Sequence, residues 1–168
     1  MNDYIVFGQP SIQDEEINEV IDSLKSNWLG TGPKVQKFEL DFARYKSSSY
    51  SAAFNSCTAG LHLTCLALDL KKGDEVLIPN PGYPTYSSVT KLVEATPIFY
   101  DLSKENNWFP DLLDLEKKDL SRVKIMWINY PHMPTGSSAT INQFKDLIDF
   151  SKKYKILLIN DNPYSFIL

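Results

Sequence analysis

Apolar residues recur at helical spacing in the first part of the chain, and short apolar runs alternate with amphipathic stretches in the rest. Over residues 11–28, Ile17, Val20, Ile21, Leu24 and Trp28 share one helical face, and Ser11 with Asp14 has the form of a capping box. Gly30-Thr31-Gly32-Pro33 breaks that pattern. Pro33 suits the first turn of a second helix that carries Val35, Phe38, Phe42 and Tyr45 on one side. A polar loop at 46–50 follows. Residues 51–55, 75–78, 97–101, 123–129 and 156–160 then read as strands, and residues 58–70, 84–94, 110–118 and 140–154 as the helices between them. Lys71-Lys72-Gly73 is a fitting end for the 58–70 helix, and Thr140 with Gln143 forms a capping box for the last one. The 156–160 run is apolar enough to predict burial on both faces. Alternation of five strands with helices predicts an α/β fold built on a mainly parallel, doubly wound sheet. The change of pattern divides the chain into an N-terminal helical segment, 1–48, and a sheet-bearing domain, 49–168.

Composition narrows the function classes. The chain has 168 residues, with 17 Lys and Arg against 21 Asp and Glu, a net charge of −4. That balance argues against a broad basic face and hence against nucleic acid as a partner. No apolar run reaches membrane-spanning length, and Met1-Asn2-Asp3-Tyr4 lacks the layout of a signal peptide, so a cytoplasmic protein without a membrane partner is expected. Cys57 and Cys65 are too few for a disulfide scaffold.

Ligands of open α/β sheets bind beyond the carboxyl ends of the strands, and four segments with chemical potential fall there. Asn55-Ser56-Cys57-Thr58-Ala59-Gly60 opens a helix with small and hydroxyl residues. It can offer free amides to a phosphate, or Ser56 or Thr58 can simply cap the helix. Pro79-Asn80-Pro81-Gly82-Tyr83-Pro84-Thr85-Tyr86 is a stiffened loop presenting two tyrosines, which suits stacking on a flat ring or ordinary packing. Asn129-Tyr130-Pro131-His132-Met133-Pro134-Thr135-Gly136 is a constrained turn, open to cis peptide bonds. His132 and His62 are the two histidines, and both are read as structural, with no metal site. Asn160-Asp161-Asn162-Pro163-Tyr164 puts a carboxylate at the end of an apolar strand, where it can face a buried cation or close an Asx-turn.

Together these segments resemble the fold-type I pyridoxal phosphate (PLP) aminotransferases, in two branches. Residues 5–79 resemble the DegT/DnrJ/EryC1/StrS sugar aminotransferases through Gly8-Gln9-Pro10, Ser26-Asn27-Trp28-Leu29-Gly30-Thr31-Gly32-Pro33, Phe38-Glu39, Phe42-Ala43 and the segment from Asn55 to Leu63. Residues 80–168 resemble class I/II aminotransferases through Pro81-Gly82-Tyr83-Pro84-Thr85-Tyr86, the turn from Asn129 to Gly136 and Asp161-Asn162-Pro163-Tyr164. The resemblance implies a partial PLP-binding large domain, with five of the family's seven strands, and a homodimer. It also implies an amino acid with a keto acid or nucleotide-linked keto sugar as substrates. It assigns the amides of Cys57, Thr58 and Ala59 to the PLP phosphate, Tyr83 to stacking on the ring, Asp161 to the ring nitrogen and Tyr164 to the phenolic oxygen. Such a pairing keeps the cofactor an electron sink.

Two departures bear on activity. Met133 stands where class I/II enzymes usually carry an Asn that bonds to the phenolic oxygen, and a thioether is a poor partner. The family's cofactor-linking lysine lies downstream of the ring-nitrogen Asp, whereas no lysine follows Lys155 here. The expectation is therefore an aminotransferase-like chain with no catalytic residue of its own, inactive as it stands. The alternatives are a non-catalytic PLP-fold remnant or a recombined reading frame. With two strands lacking, the first strand would lose its neighbours and the last would become an open edge. The chain expressed alone is expected to be aggregation-prone or partly molten; a sharp cooperative melt with dispersed amide resonances would overturn that.

Overall fold

A computed structural model describes residues 10–166, and the chain divides into two compact units, 1–53 and 54–168. Gly8 and Gln9 of the opening motif lie outside the described residues.

The first unit contains α1 (Asp14–Ser26) and α2 (Pro33–Tyr45). The first helix begins three residues later than its sequence suggests. Gln13 is the extended cap residue, and its N–H donates to the Glu16 carboxylate at 2.6 Å, a reach that the shorter Asp14 side chain does not make to Ser11. It ends before Trp28 because Asn27 turns left-handed, at φ 58°. The Trp28 indole then folds back and donates to the Thr31 carbonyl at 2.9 Å. A Cβ on Gly32 would meet that ring at 2.0 Å, so only glycine fits beneath it. Pro33 occupies the first turn of α2 as expected. Lys34 spans from α2 to the carboxylates of Glu19 and Asp22 on α1. The predicted apolar stripes are real but uncovered: Ile17, Val20 and Leu24 on α1, and Phe38 and Phe42 on α2, are exposed.

The second unit is built from α3 (Cys57–Ala67), β1 (Glu75–Asn80), α4 (Thr85–Leu92) and β2 (Thr96–Asp101). These are followed by α5 (Leu112–Leu115), β3 (Val123–Ile128), α6 (Ile141–Tyr154) and β4 (Leu157–Asn160). The four strands form one parallel sheet in the order β2-β1-β3-β4. Alternation along the two central strands feeds two separate cores. Leu77, Met126 and Ile128 point to the face covered by Leu147 and Phe150 of α6. Val76, Ile78, Ile125 and Trp127 point to the face covered by Leu61 and Cys65 of α3 and by Tyr86 and Val89 of α4. The capping box of α6 forms as predicted: the Gln143 N–H donates to Thr140 Oγ1 at 3.2 Å, and the Thr140 N–H donates to Gln143 Oε1 at 2.8 Å.

Four expectations need correction. Residues 51–55 pair with no strand among the described residues, and the Ala53 N–H is satisfied instead by the Glu39 carboxylate at 2.8 Å. Among the described residues the sheet thus has four strands rather than five. The β4 strand is not buried on both faces: Leu157 is 47% exposed, and Leu158 and Ile159 are only partly buried. Helix α3 stops short of 70, where Asp69 turns left-handed at φ 53° and the Leu70 N–H returns to the Cys65 carbonyl. The 110–118 helix shrinks to the single turn of α5, opened by the Asp111 side chain accepting from the Asp114 N–H at 3.0 Å. Among the described residues no helix is long and apolar enough to cross a membrane.

Leu147 is fully buried where α6 meets the sheet. Leu147→Ala is expected to lower the free energy of unfolding by about 3 kcal/mol, measured by urea denaturation with an unchanged m-value.

Candidate active site

In a parallel sheet all strands end on the same side, so the segments that follow β1, β3 and β4 converge there, together with the start of α3. The segment after β1 carries Tyr83 and leads into α4, and the turn after β3 runs from Asn129 to Gly136. The segment after β4 opens with Asp161. The Asn80–Pro81, Tyr130–Pro131 and Met133–Pro134 peptide bonds are all cis, including both in the turn read as constrained.

Buried polar groups lock these segments to one another. The Asn129 side-chain amide donates to the Asp161 carbonyl at 2.6 Å, while its oxygen accepts from the Met133 N–H at 2.7 Å. The Asp161 N–H donates to the Ile128 carbonyl at 2.9 Å, extending the β3–β4 ladder by one bond. His132 is buried, with Nδ1 at 2.8 Å from Thr135 Oγ1 and Nε2 at 3.2 Å from the Pro81 carbonyl. It therefore joins the β3 turn to the β1 loop, the structural part expected of it. Burial holds its pKa below the ordinary histidine value, and the Pro81 carbonyl offsets part of that.

Between these segments lies a cavity of about 220 Å³ lined by Cys57, Tyr83, Tyr86, Asn129, Met133, Asp161, Pro163 and Tyr164. Four of the six residues singled out from sequence, Cys57, Tyr83, Asp161 and Tyr164, thus meet in one place. Thr58 and Ala59 do not line it. The Ser56 hydroxyl accepts from the Ala59 N–H at 3.1 Å, the ordinary cap of α3, so that amide is already engaged. The amides of Cys57 and Thr58, in the first turn, have no acceptor within the helical ladder.

Asp161 is the charge of the cavity. Tyr86 donates its O–H to Oδ2 at 2.8 Å, and the Cys57 thiol faces Oδ1 at 3.9 Å. Burial first, and then the Asp161 charge, pushes the Tyr86 phenol far above its usual pKa and also raises the Cys57 thiol. The Tyr86 ring lies flat against Trp127, with centroids 5.4 Å apart and planes 9° apart, and meets Tyr83 edge-on at 5.7 Å. Sequence reasoning passed over Tyr86, Asn129 and Pro163 as site residues. For Tyr86 the available signal was its place three residues beyond Tyr83, one helical turn along the same face. Among the described residues no group of His, Cys, Asp or Glu is arranged to hold a metal ion.

Residues 10–166 match the model of the DegT/DnrJ/EryC1/StrS aminotransferase family, on both sides of residue 79. A UDP-4-amino-4-deoxy-L-arabinose–oxoglutarate aminotransferase of Shewanella sediminis is 30% identical over 98% of the chain, which spans 40% of that protein. An LL-diaminopimelate aminotransferase of Dehalococcoides mccartyi is 41% identical over 57% of the chain, which spans 25% of it. Among solved structures, the PLP form of a Streptococcus pneumoniae protein with a sugar-aminotransferase designation superposes with TM-score 0.77. It is 28% identical over 94% of the chain and 42% of its own length. The chain therefore spans well under half the length of these relatives, and both resemblances read from the motifs recur among them.

The lowered pKa of His132 fixes a sign. The unfolded chain, with its histidine at the ordinary value near 6.5, takes up the proton first as pH falls. The contribution of His132 to stability is thus present above about pH 6.5 and is lost as pH drops toward its depressed folded value. The stability advantage of the parent over His132→Gln is expected to narrow between pH 7 and pH 5, as read by urea melts.

Proposed function

The chain belongs to the DegT/DnrJ/EryC1/StrS aminotransferase family, and on that premise we propose that its second unit forms a pyridoxal phosphate site for amino-group transfer between an amino acid and a keto acid or keto sugar. PLP is the cofactor of this family. The observation that carries the reading is the Asp161 carboxylate, held at the end of β4 in a cavity walled by Tyr83 and Tyr164.

The residues fit such a group. A carboxylate with one oxygen facing only a thiol can accept from a protonated ring nitrogen. Tyr83 offers an aromatic face to the ring, and the Tyr164 hydroxyl suits the phenolic oxygen. The first-turn amides of Cys57 and Thr58 suit the phosphate, aided by the positive end of α3. Ala59 joins them only if the Ser56 hydroxyl gives up its bond. Met133 supplies no strong hydrogen bond to the phenolic oxygen, which leaves Tyr164 to orient that edge. When bound, the cofactor supplies an electron sink for the carbanion left when a substrate loses its α-proton. Asp161 would hold the proton on the ring nitrogen.

Among the described residues no lysine lines the cavity. The reading is accordingly that this cavity holds PLP without a covalent link. It extends to a homodimer, a cytoplasmic location and a cofactor-binding domain reaching from residue 49 to 168.

PLP titrated into the purified 168-residue chain, with folding checked by circular dichroism, is expected to give a saturable absorbance change. Borohydride treatment should leave no cofactor on any peptide, and Asp161→Asn should weaken binding about tenfold or more, the worth of a charge-assisted hydrogen bond. A specifically labelled lysine would sink the non-covalent reading, and a folded chain without saturable binding would sink the site itself.

A further inference from the structure

We infer that Tyr86 is a positioning residue for Asp161: its hydroxyl fixes Oδ2, so that Oδ1 alone is presented to a cationic N–H in the cavity. The inference rests on the cofactor reading above and adds to it which oxygen receives the ring nitrogen and what holds it there.

The two carboxylate oxygens are unequally bound. Oδ2 accepts a phenolic O–H at 2.8 Å from a fully buried tyrosine. Oδ1 faces the Cys57 sulfur at 3.9 Å, a weak donor that a charged N–H displaces at little cost. Tyr86 is itself immobilised. Its ring is stacked on Trp127, its carbonyl accepts from Thr90 Oγ1 at 2.7 Å, and its N–H donates to the Tyr83 carbonyl at 3.2 Å. The backbone of Asp161 is pinned at both its N–H and its carbonyl, so the carboxylate turns only about its own side-chain bonds. The Tyr86 hydroxyl removes that freedom. The same arrangement accounts for a fully buried tyrosine in the wall of a polar cavity: its apolar body fills the core between α4 and β3, and its one polar atom is spent on Asp161.

The test compares PLP with its 1-deaza analogue, in which a C–H replaces the ring nitrogen, as ligands of the 168-residue chain. The parent is expected to prefer PLP. In Tyr86→Phe that preference should fall about tenfold, the fold-change of one hydrogen bond to a charged group, while affinity for the analogue changes less than twofold. Equal weakening of both ligands by Tyr86→Phe, or an unchanged preference, overturns the inference while leaving the cofactor reading intact. A folded parent that binds neither ligand overturns both. Should Tyr86→Phe fail to fold, Tyr86→His, which returns a ring-borne donor, is expected to keep the preference within threefold of the parent; its loss there is likewise fatal.

Discussion

The buried amide of Asn129 is the constraint on which the cavity depends. It sits just past β3, 2% exposed, and satisfies one group in its own turn and one beyond β4: the Met133 N–H and the Asp161 carbonyl. A buried amide left unpaired costs of order 1–3 kcal/mol, so the turn after β3 and the segment after β4 are held to one arrangement. His132 carries the constraint on to the β1 loop through the Pro81 carbonyl. The parallel sheet brings the three segments to the same side; these side-chain bonds give them a common geometry. Tyr83 and Asp161 can then face one space although 78 positions separate them in sequence.

Where the local pattern carried the physics, the sequence was a good guide. The alternation in Val76-Leu77-Ile78 and Ile125-Met126-Trp127-Ile128 is the alternation between the two cores. Thr140 and Gln143 cap α6 through bonds that span only three residues. Pairing is a different matter. Residues 51–55 have the composition of a strand, yet a strand needs a neighbour, and nothing in those five residues reveals that none among the described residues takes them. The apolar 156–160 run reads as doubly buried for a related reason, since its neighbours follow from sheet order and not from its own side chains.

The site shows the same division. The segments that carry Cys57, Tyr83, Asp161 and Tyr164 were legible because they stand at strand or helix ends, where the fold class directs attention, while the resemblance singled out the residues within them. The engagement of Ala59 by Ser56 was one of two open readings, and the cap is the one observed. Tyr86 was hidden because its role is a long-range bond: seventy-five positions separate its hydroxyl from the Asp161 carboxylate. The two sorts of relatives accord with a chain whose identity is spread thinly across one and concentrated in part of another.

The exposed β4 edge has a consequence for how the site behaves in time. Asp161 is the first residue beyond a four-residue strand that, among the described residues, is bonded on one side only. Such a strand can peel away without melting the central pair, in a sub-global opening well below the cost of full unfolding. Each opening would carry off the carboxylate and break its bond to Tyr86, dismantling the cavity and uncovering the part of each core that Leu158 and Ile159 pack against. By reciprocal linkage, anything that binds Asp161 in the closed state must also slow hydrogen exchange along β4. The cavity and the sheet margin thus share a single opening equilibrium, and an occupant of one acts as a latch on the other.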